Sequence, residues 1–585
     1  MAADYGDPRE KRRRYTALQA KLEQERKAGF DAHWRELGDY LSPRRTRFWA
    51  GDRNKGDKRN QNIIDSTGRF AARTLSSGLH AGLTSPARPW MKLTTPDPEL
   101  ALFGPVKLWL HEVGRRMLTI FATSNLYNVL PLVYLDMGVF GTAAMSVVQD
   151  SQDLFRCYSY PIGTYALGQD ARGLITTFVR DYELTVRQVV EQFGVQADGR
   201  TIDWAPMSRT VKDLWTRGEY EEAVAVTWIV KPNEGARAGR LDARYLPWSS
   251  CYFETSSEEV PGLFLRESGF RTFPILAPRW DITGEDSYGT DCPGMTALGD
   301  VKQLQIMQRH KGMLLAKAVN PPVKGPSSLR TQKTSLLPGD ITYQDIREGM
   351  QGLEPIHEVR LEGFQHLTAD IGEVQYRVQR AFYEDLFLML ARSDDRLGAD
   401  RPTAREIEER HEEKLLALGP VLERTNDELL DPLVDRVYQL MEDADLIPTP
   451  PQEIQGVNLR PEYISILAQA MKLVGVSGQD RFLQSAVGLI EVFPEIRHKV
   501  NIFQVVDNYG DMLGVDPKII RSTEEAQATL DEERETAQSQ AASEQAVNFA
   551  RAAKDAGQTS MTGDTALARV VAGAARAQGG EPPPV

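Results

Sequence analysis

Nine cations stand at spacings that suit a polyanion: Lys302, Arg309 and Lys317; Lys324, Arg330 and Lys333; and Arg392, Arg396 and Arg401. At about 100° per residue the first three fall within roughly an 80° sector of one helical run, Val301 to Val319. That run also holds His310 and Lys311 and has no acid. Ile306 and Met313 share the sector and Lys311 lies opposite it, so the stripe is imperfect. Such cations meet phosphate or pair with carboxylates of a neighbouring chain. The acids of the next helical run, Glu362, Asp370, Glu373, Glu384 and Asp385, make pairing the preferred reading. The second triplet lies among turn signals at Gly325, Pro338-Gly339 and Gly349, where exposed cations are routine. The third lies in ARSDDRLGADRPT, residues 391–403, which has almost nothing to bury. A polar loop of that kind touches a passing polyanion without holding it, or its Arg and Asp pair with each other.

Bond-making chemistry has no comparable signal. No G-x-x-x-x-G-K-[ST], H-E-x-x-H, C-x-x-C or G-x-S-x-G occurs, so ATP hydrolysis would have to come from a partner. His357 and His366 lack a third ligand. Glu406, Glu408, Glu409, Glu412 and Glu413 suggest a metal-dependent nuclease only until helical spacing spreads them around the helix. A solvated or intersubunit face is the better reading. The sequence implies no catalytic residue, no metal and no cofactor.

The elements that must position these residues belong to a chain of 585 residues, too long for one simple core. Its 41% hydrophobic and 26% charged composition suits a soluble globular protein. Cys157, Cys251 and Cys292 show no paired spacing, as expected of a reducing compartment. Lys11-Arg-Arg-Arg14 precedes a charged helix and not an apolar core, so no signal peptide is expected. The most apolar window, Val129 to Val148, contains Asp136 and several glycines, which argues for buried structure and against a membrane span. Of the net charge of −13, residues 404–585 carry 17 Lys+Arg against 31 Asp+Glu, and residues 1–403 are close to neutral. An acidic bulk does not grip DNA over a broad surface, yet it suits a conduit through which DNA slides.

In chain order, residues 11–41 read as one amphipathic helix ending at Ser42-Pro43. A basic arm, Arg44 to Arg73, carries Phe48 and Trp49; docking on a neighbouring chain is preferred over nucleic-acid contact. Helices are predicted over 70–83, 106–123 and 126–139, with Trp90 anchored in a core. From about 145 to 285 alternating β-branched and aromatic segments predict a mostly antiparallel sheet region, interrupted by a short helix from Thr185 to Phe193. Leu361 to Leu390 carries Phe364, Leu367, Ile371, Val374, Val378, Phe382 and Leu386 at gaps of three and four, a stripe for packing on helices. Thr403-Ala-Arg-Glu406 reads as a capping box opening a long helix to about Leu446, which Pro420 and Pro432 should each kink or break. Pro448, Pro450 and Pro451 mark a boundary, and short helices such as Tyr463 to Val474 and Arg481 to Ile490 are predicted after it. The fold class is α+β, predominantly helical.

The order of LSSGLHAGLTSPARPW (75–90), YGTDCPGMTALGDVKQLQ (288–305), NPPV (320–323) and PTAREIEERHEEKLLALGPVLERTNDELLDPL (402–433) resembles the portal, or head-to-tail connector, proteins of short-tailed bacteriophages, over roughly residues 15–520. The resemblance implies a portal fold around a channel. Residues 1–299 would form the wing, 300–319 the first stem helix and 320–358 the clip. Residues 359–390 would form the second stem helix, 391–403 the tunnel loop, 404–447 a long kinked wing helix, 448–522 the crown and 523–585 a helical to disordered tail. It implies a dodecamer at one capsid vertex of the virion, assembled in the host cytoplasm without membrane. Double-stranded DNA would pass non-specifically, and the clip would meet the terminase large subunit and later the tail adaptor proteins. Capsid and scaffolding proteins are further implied partners. Competing readings are a DNA-processing enzyme and an adaptor or scaffold without a channel.

Overall fold

The computed structural model describes residues 7–325, 354–355, 362–392, 418–464, 503, 505–506 and 523–557, apart from short breaks at 49–50, 52–55, 57, 98–99, 102, 197–199, 241, 256, 258–263 and 458. The chain divides into two compact units, Met1–Pro494 and Glu495–Val585. In the second, α12 (Thr523–Gly557) is a largely exposed helix rich in Ala, Glu and Gln.

Where one N-terminal helix was expected there are two, α1 (Pro8–Gly29) and α2 (Asp31–Tyr40). Gly29 is a poor helix former, and Phe30 turns inward to stack on Trp34 and meet Tyr288. The buried Arg26–Asp31 ion pair bridges the break at 3.0 Å. Three further helices follow, α3 (Thr67–Leu83), α4 (Gly104–Thr123) and α5 (Leu126–Phe140). Trp90, Phe121 and Val133 are among the fully buried residues of their core. No single helix among the described residues is long and apolar enough to cross a membrane. Asp136 sits on the inner face of α5, where Arg45 of the basic arm donates two hydrogen bonds from Nε at 2.9 and 3.1 Å. At least this cation of the arm is spent inside the chain.

The predicted sheet region is antiparallel. Strands β4 (Tyr165–Gln169), β5 (Ile175–Thr185), β6 (Ala223–Pro232), β7 (Trp248–Glu254) and β8 (Arg266–Phe270) form one sheet in that order. Both its faces are covered, because neighbouring residues alternate between cores. Phe178, Trp228 and Val230 enter the helical core, whereas Val179 and Ile229 pack under α1 with Tyr15 and Leu22. Helix α6 (Val186–Phe193) opens on Thr185 in a full capping box, and α7 (Arg209–Arg217) lies beside it. A smaller sheet orders β3 (Leu154–Ser159), β2 (Met145–Asp150) and β9 (Ile275–Leu276).

Under α1, Gln19 Nε2 donates to Asp181 Oδ2 at 2.6 Å, and the other oxygen of Asp181 is buried beside the Glu23 carboxyl. Burial and then Glu23 push Asp181 up to about 7, so the two carboxyls share a proton well above the ordinary carboxylate range. Folded Asp181 therefore holds a proton that the unfolded chain releases near pH 4, and its contribution falls as pH rises from about 4 to 7. Asp181→Asn is expected to flatten that slope and to raise Tm at pH 8. A thermal series from pH 4.5 to 8 on both chains checks this; parallel curves would count against the shared proton.

Strand β1 (Met91–Thr94) pairs antiparallel with β12 (Arg460–Tyr463), so the residues after Pro451 return to the N-terminal helices. Tyr463, expected to open a helix, instead ends a strand, and its hydroxyl donates to Asp431. Beyond Ile464 the expected crown lies almost wholly outside the described residues.

Candidate functional site

Helix α8 (Pro293–Val319) is longer than the expected stem helix and opens eight residues before Val301. Pro293 has no amide to lose in the first turn, which suits it to begin a helix. The expected second stem helix is two: α9 (Glu362–Ala381) and α10 (Glu384–Arg392). Tyr383 separates them in the left-handed region at φ 55°, with its ring 6.3 Å from that of Trp280. The apolar stripe survives the break. Leu367, Ile371 and Val374 pack on Leu304 and Met307 of α8, and Val378, Phe382 and Leu386 enter the main core. The ends of the pair are tied by Lys311 over the Phe364 ring at 5.6 Å and by Arg377 to Asp300 at 3.1 Å.

A polar hub that the sequence reading missed sits at the start of α3. Gln308 Nε2 of α8 and Gln375 Nε2 of α9 donate to Asp65 Oδ2 at 2.8 and 2.9 Å. Gln305 accepts from the Ile64 and Asp65 amides and returns a bond to the Asp65 carbonyl. Burial raises the Asp65 carboxyl, but its bonds from Thr67, Gln375 and Gln308 prevail and hold it below the usual range. Its stabilisation is present above the ordinary carboxylate pKa and lost as pH falls through the lower folded value. Asp65→Ala is expected to cost about 1–3 kcal/mol by stranding these donors. Urea unfolding at pH 7 measures it, and a loss under 0.5 kcal/mol would sink the hub.

The nine cations separate. Lys302 pairs with Glu36 of α2 within the same chain, at the surface. Arg309 and Lys317 are exposed on α8. Lys324 lies in β10 (Val323–Lys324), which pairs with β11 (Glu354–Pro355) and so brackets the expected clip. Arg392 ends α10, and Arg330, Lys333, Arg396 and Arg401 lie outside the described residues. So do the Thr403 capping box and the Glu406–Glu413 run.

The long helix is described from residue 418. Pro432 does not break it: a π-helical turn, Asn426–Leu430, leads into α11 (Asp431–Asp443), and Asp431 bonds back to the Asn426 carbonyl. The wider turn accommodates the proline ring and missing donor that would disrupt regular helix. Glu428 on this turn receives Arg279 Nε, Nη2 and backbone amide, at 2.5–3.2 Å. Beside it an open cleft of about 620 Å³ is lined by the Arg377–Asp300 and Arg424–Asp281 pairs, whose charges cancel. Among the described residues no His, Cys, Asp and Glu group has the arrangement of a metal site.

Among the described residues α8 and α9 form a packed helix pair braced at both ends, with no His, Cys, Asp and Glu group arranged for a metal beside it. The profile described as bacteriophage head to tail connecting protein matches residues 12–520, and the chain belongs to that family. It is 42% identical over 551 residues to the portal protein of Salmonella phage epsilon15, covering 94% of this chain and 96% of that protein. To the probable portal protein of Bordetella phage BPP-1 it is 43% identical over 489 residues, covering 84% and 85%. A solved gene transfer agent virion shows a distant likeness, with TM-score 0.29 and 11% identity over 72% of this chain and 95% of that one. The role is therefore that of a head-to-tail connector, a structural part and not an enzyme.

Proposed function

We propose that copies of this chain form a ring, dodecameric, at one capsid vertex of the virion, with an axial channel for double-stranded DNA. DNA enters through it when the terminase large subunit packages the genome and leaves through it at ejection. The end bracketed by β10 and β11 meets the motor and afterwards the tail adaptors, while capsid and scaffolding proteins hold the wing during assembly in the host cytoplasm. The observation that supports this reading is the packed α8–α9 helix pair, whose α8 has no acid from Val301 to Val319. Positioning does the work: a wall of helices, with Arg392 at the end of α10 and Arg396 and Arg401 after it, contacts phosphate without sequence preference and without chemistry. Arg309 and Lys317 face either the DNA or a neighbouring copy.

Electron microscopy of the purified protein tests it, with native mass as a check. A ring with a central hole, at a multiple of 65.5 kDa near twelve copies, is the expected result. A stable monomer or dimer without a hole would leave an adaptor that forms no channel.

A further inference from the structure

The connection between β6 and β7, residues 233–247, is a long loop held in one shape. Asn233 Nδ2 donates to the carbonyls of Arg244 and Leu246 at 2.8 and 2.7 Å, and its Oδ1 accepts the Gly235 amide at 3.1 Å. The Arg237 amide donates to the Tyr245 carbonyl at 2.9 Å, and the Arg240 amide to the Arg237 carbonyl at 3.3 Å. Gly239 makes the bend between the two arginines at φ 79°, a conformation open to glycine without strain. The result is that two cations share one ring. The guanidinium carbons of Arg237 and Arg240 lie 5.0 and 5.2 Å from the centre of Tyr245, and both arginines are exposed.

From Gly235 to Pro247 the loop has three Arg and a single Asp, in a chain of net charge −13. Asp242 reaches Arg240 only at 3.9 Å, with both groups more than half exposed. Among the described residues Arg237 has no carboxylate partner. The make-up of the loop narrows what these cations suit. A protein interface is centred on apolar side chains, and no described large apolar residue of 233–247 stands exposed. Single-stranded nucleic acid needs open aromatic faces for its bases, whereas Tyr245 already carries guanidiniums. What remains is two stacked guanidiniums within about 10 Å of each other, their N–H edges free. Such edges take phosphate oxygens in pairs and read no bases.

We infer that the Arg237–Tyr245–Arg240 loop binds the phosphate backbone of double-stranded DNA, a contact on the sheet separate from the cations of α8 and α10. Only the source of the duplex rests on the channel reading above; the chemistry stands on the loop itself.

The probe is a relaxed, covalently closed circular duplex, which has no end to thread through a channel. Its binding to the full chain is followed between about 50 and 200 mM salt. Arg237→Ala with Arg240→Ala is expected to weaken binding roughly tenfold at the lower salt, with the melting temperature unchanged. The salt dependence should flatten by about one charge per arginine for each loop engaged. Tyr245→Leu keeps both charges and is expected to weaken binding about threefold, because the guanidiniums lose their support; no change would overturn the role of the ring. Arg309→Ala with Lys317→Ala is expected to leave binding of the circle unaltered, and a tenfold loss there would move the contact to α8 and overturn the loop. So would a parent chain that does not retain the circle, or a double loop variant that retains it equally well. Displacement by polyglutamate as effective, charge for charge, as by linear duplex would assign the loop to an acidic protein and overturn the DNA contact. Rings seen by microscopy without binding of the circle reject the loop alone, whereas binding of the circle without rings rejects the channel alone.

Discussion

Glu428→Ala is expected to destabilise the first unit by about 3–5 kcal/mol, because it leaves a buried guanidinium without its carboxylate. Arg279 is 2% exposed and gives its remaining bonds to the carbonyls of Asp286 at 3.0 Å and Gly173 at 2.9 Å. No solvent reaches it to replace the lost charge. The residue also anchors the π turn, so its loss should loosen the helix at the place where Pro432 already removes a bond. Urea unfolding followed by tryptophan fluorescence measures the change. Arg279→Met with Glu428→Leu is the control, and is expected to cost much less, since a buried pair replaced by apolar groups is often near neutral. A single variant within 1 kcal/mol of the parent would show that water or another acid compensates.

Trp90→Ala is expected to cost about 3–5 kcal/mol as a large-to-small change in a packed core. The ring is fully buried, 5.6 Å from Phe121 and 6.3 Å from Tyr463, nearly parallel to both. Its Nε1 donates to the Tyr127 hydroxyl at 3.0 Å, and its carbonyl accepts from Ile464 at 2.9 Å. The loss should fall most heavily on β12, which has this ring and β1 as its main attachments. Hydrogen exchange of residues 460–464 is expected to rise at least tenfold more than that of α4. Equal acceleration everywhere would mean that Trp90 supports the whole core and does not hold β12 in particular. Trp90→Phe should recover most of the loss.

Elements whose signal is periodic were legible in the sequence. The helices over 67–83, 104–123 and 126–140 and the alternating strands of the sheet fell where hydrophobic spacing placed them. Trp90 in the core was legible because a tryptophan just after Pro86 and Pro89 has few other uses. Breaks were harder. Tyr383 turns left-handed in a run whose apolar stripe never falters, since the stripe serves two partners in succession. Pro432 did announce a disturbance, but not that a wider turn would absorb it. Contacts across long separations left no trace. Asp65 with Gln305, Gln308 and Gln375 is a meeting of ordinary polar residues, and Lys302 was a free cation in sequence until Glu36 stood beside it.

The pairing of β1 with β12 has a consequence for how the chain is made. Thr94 leaves the ribosome early and its partner Arg460 late, an interval of about 20–70 s at 5–20 residues per second. Throughout that interval β1 has an open edge, and Trp90 lacks the cover of Tyr463. A chain cut short before residue 460 keeps both defects permanently. The core around Trp90 is therefore closed from within only in chains that extend past Tyr463.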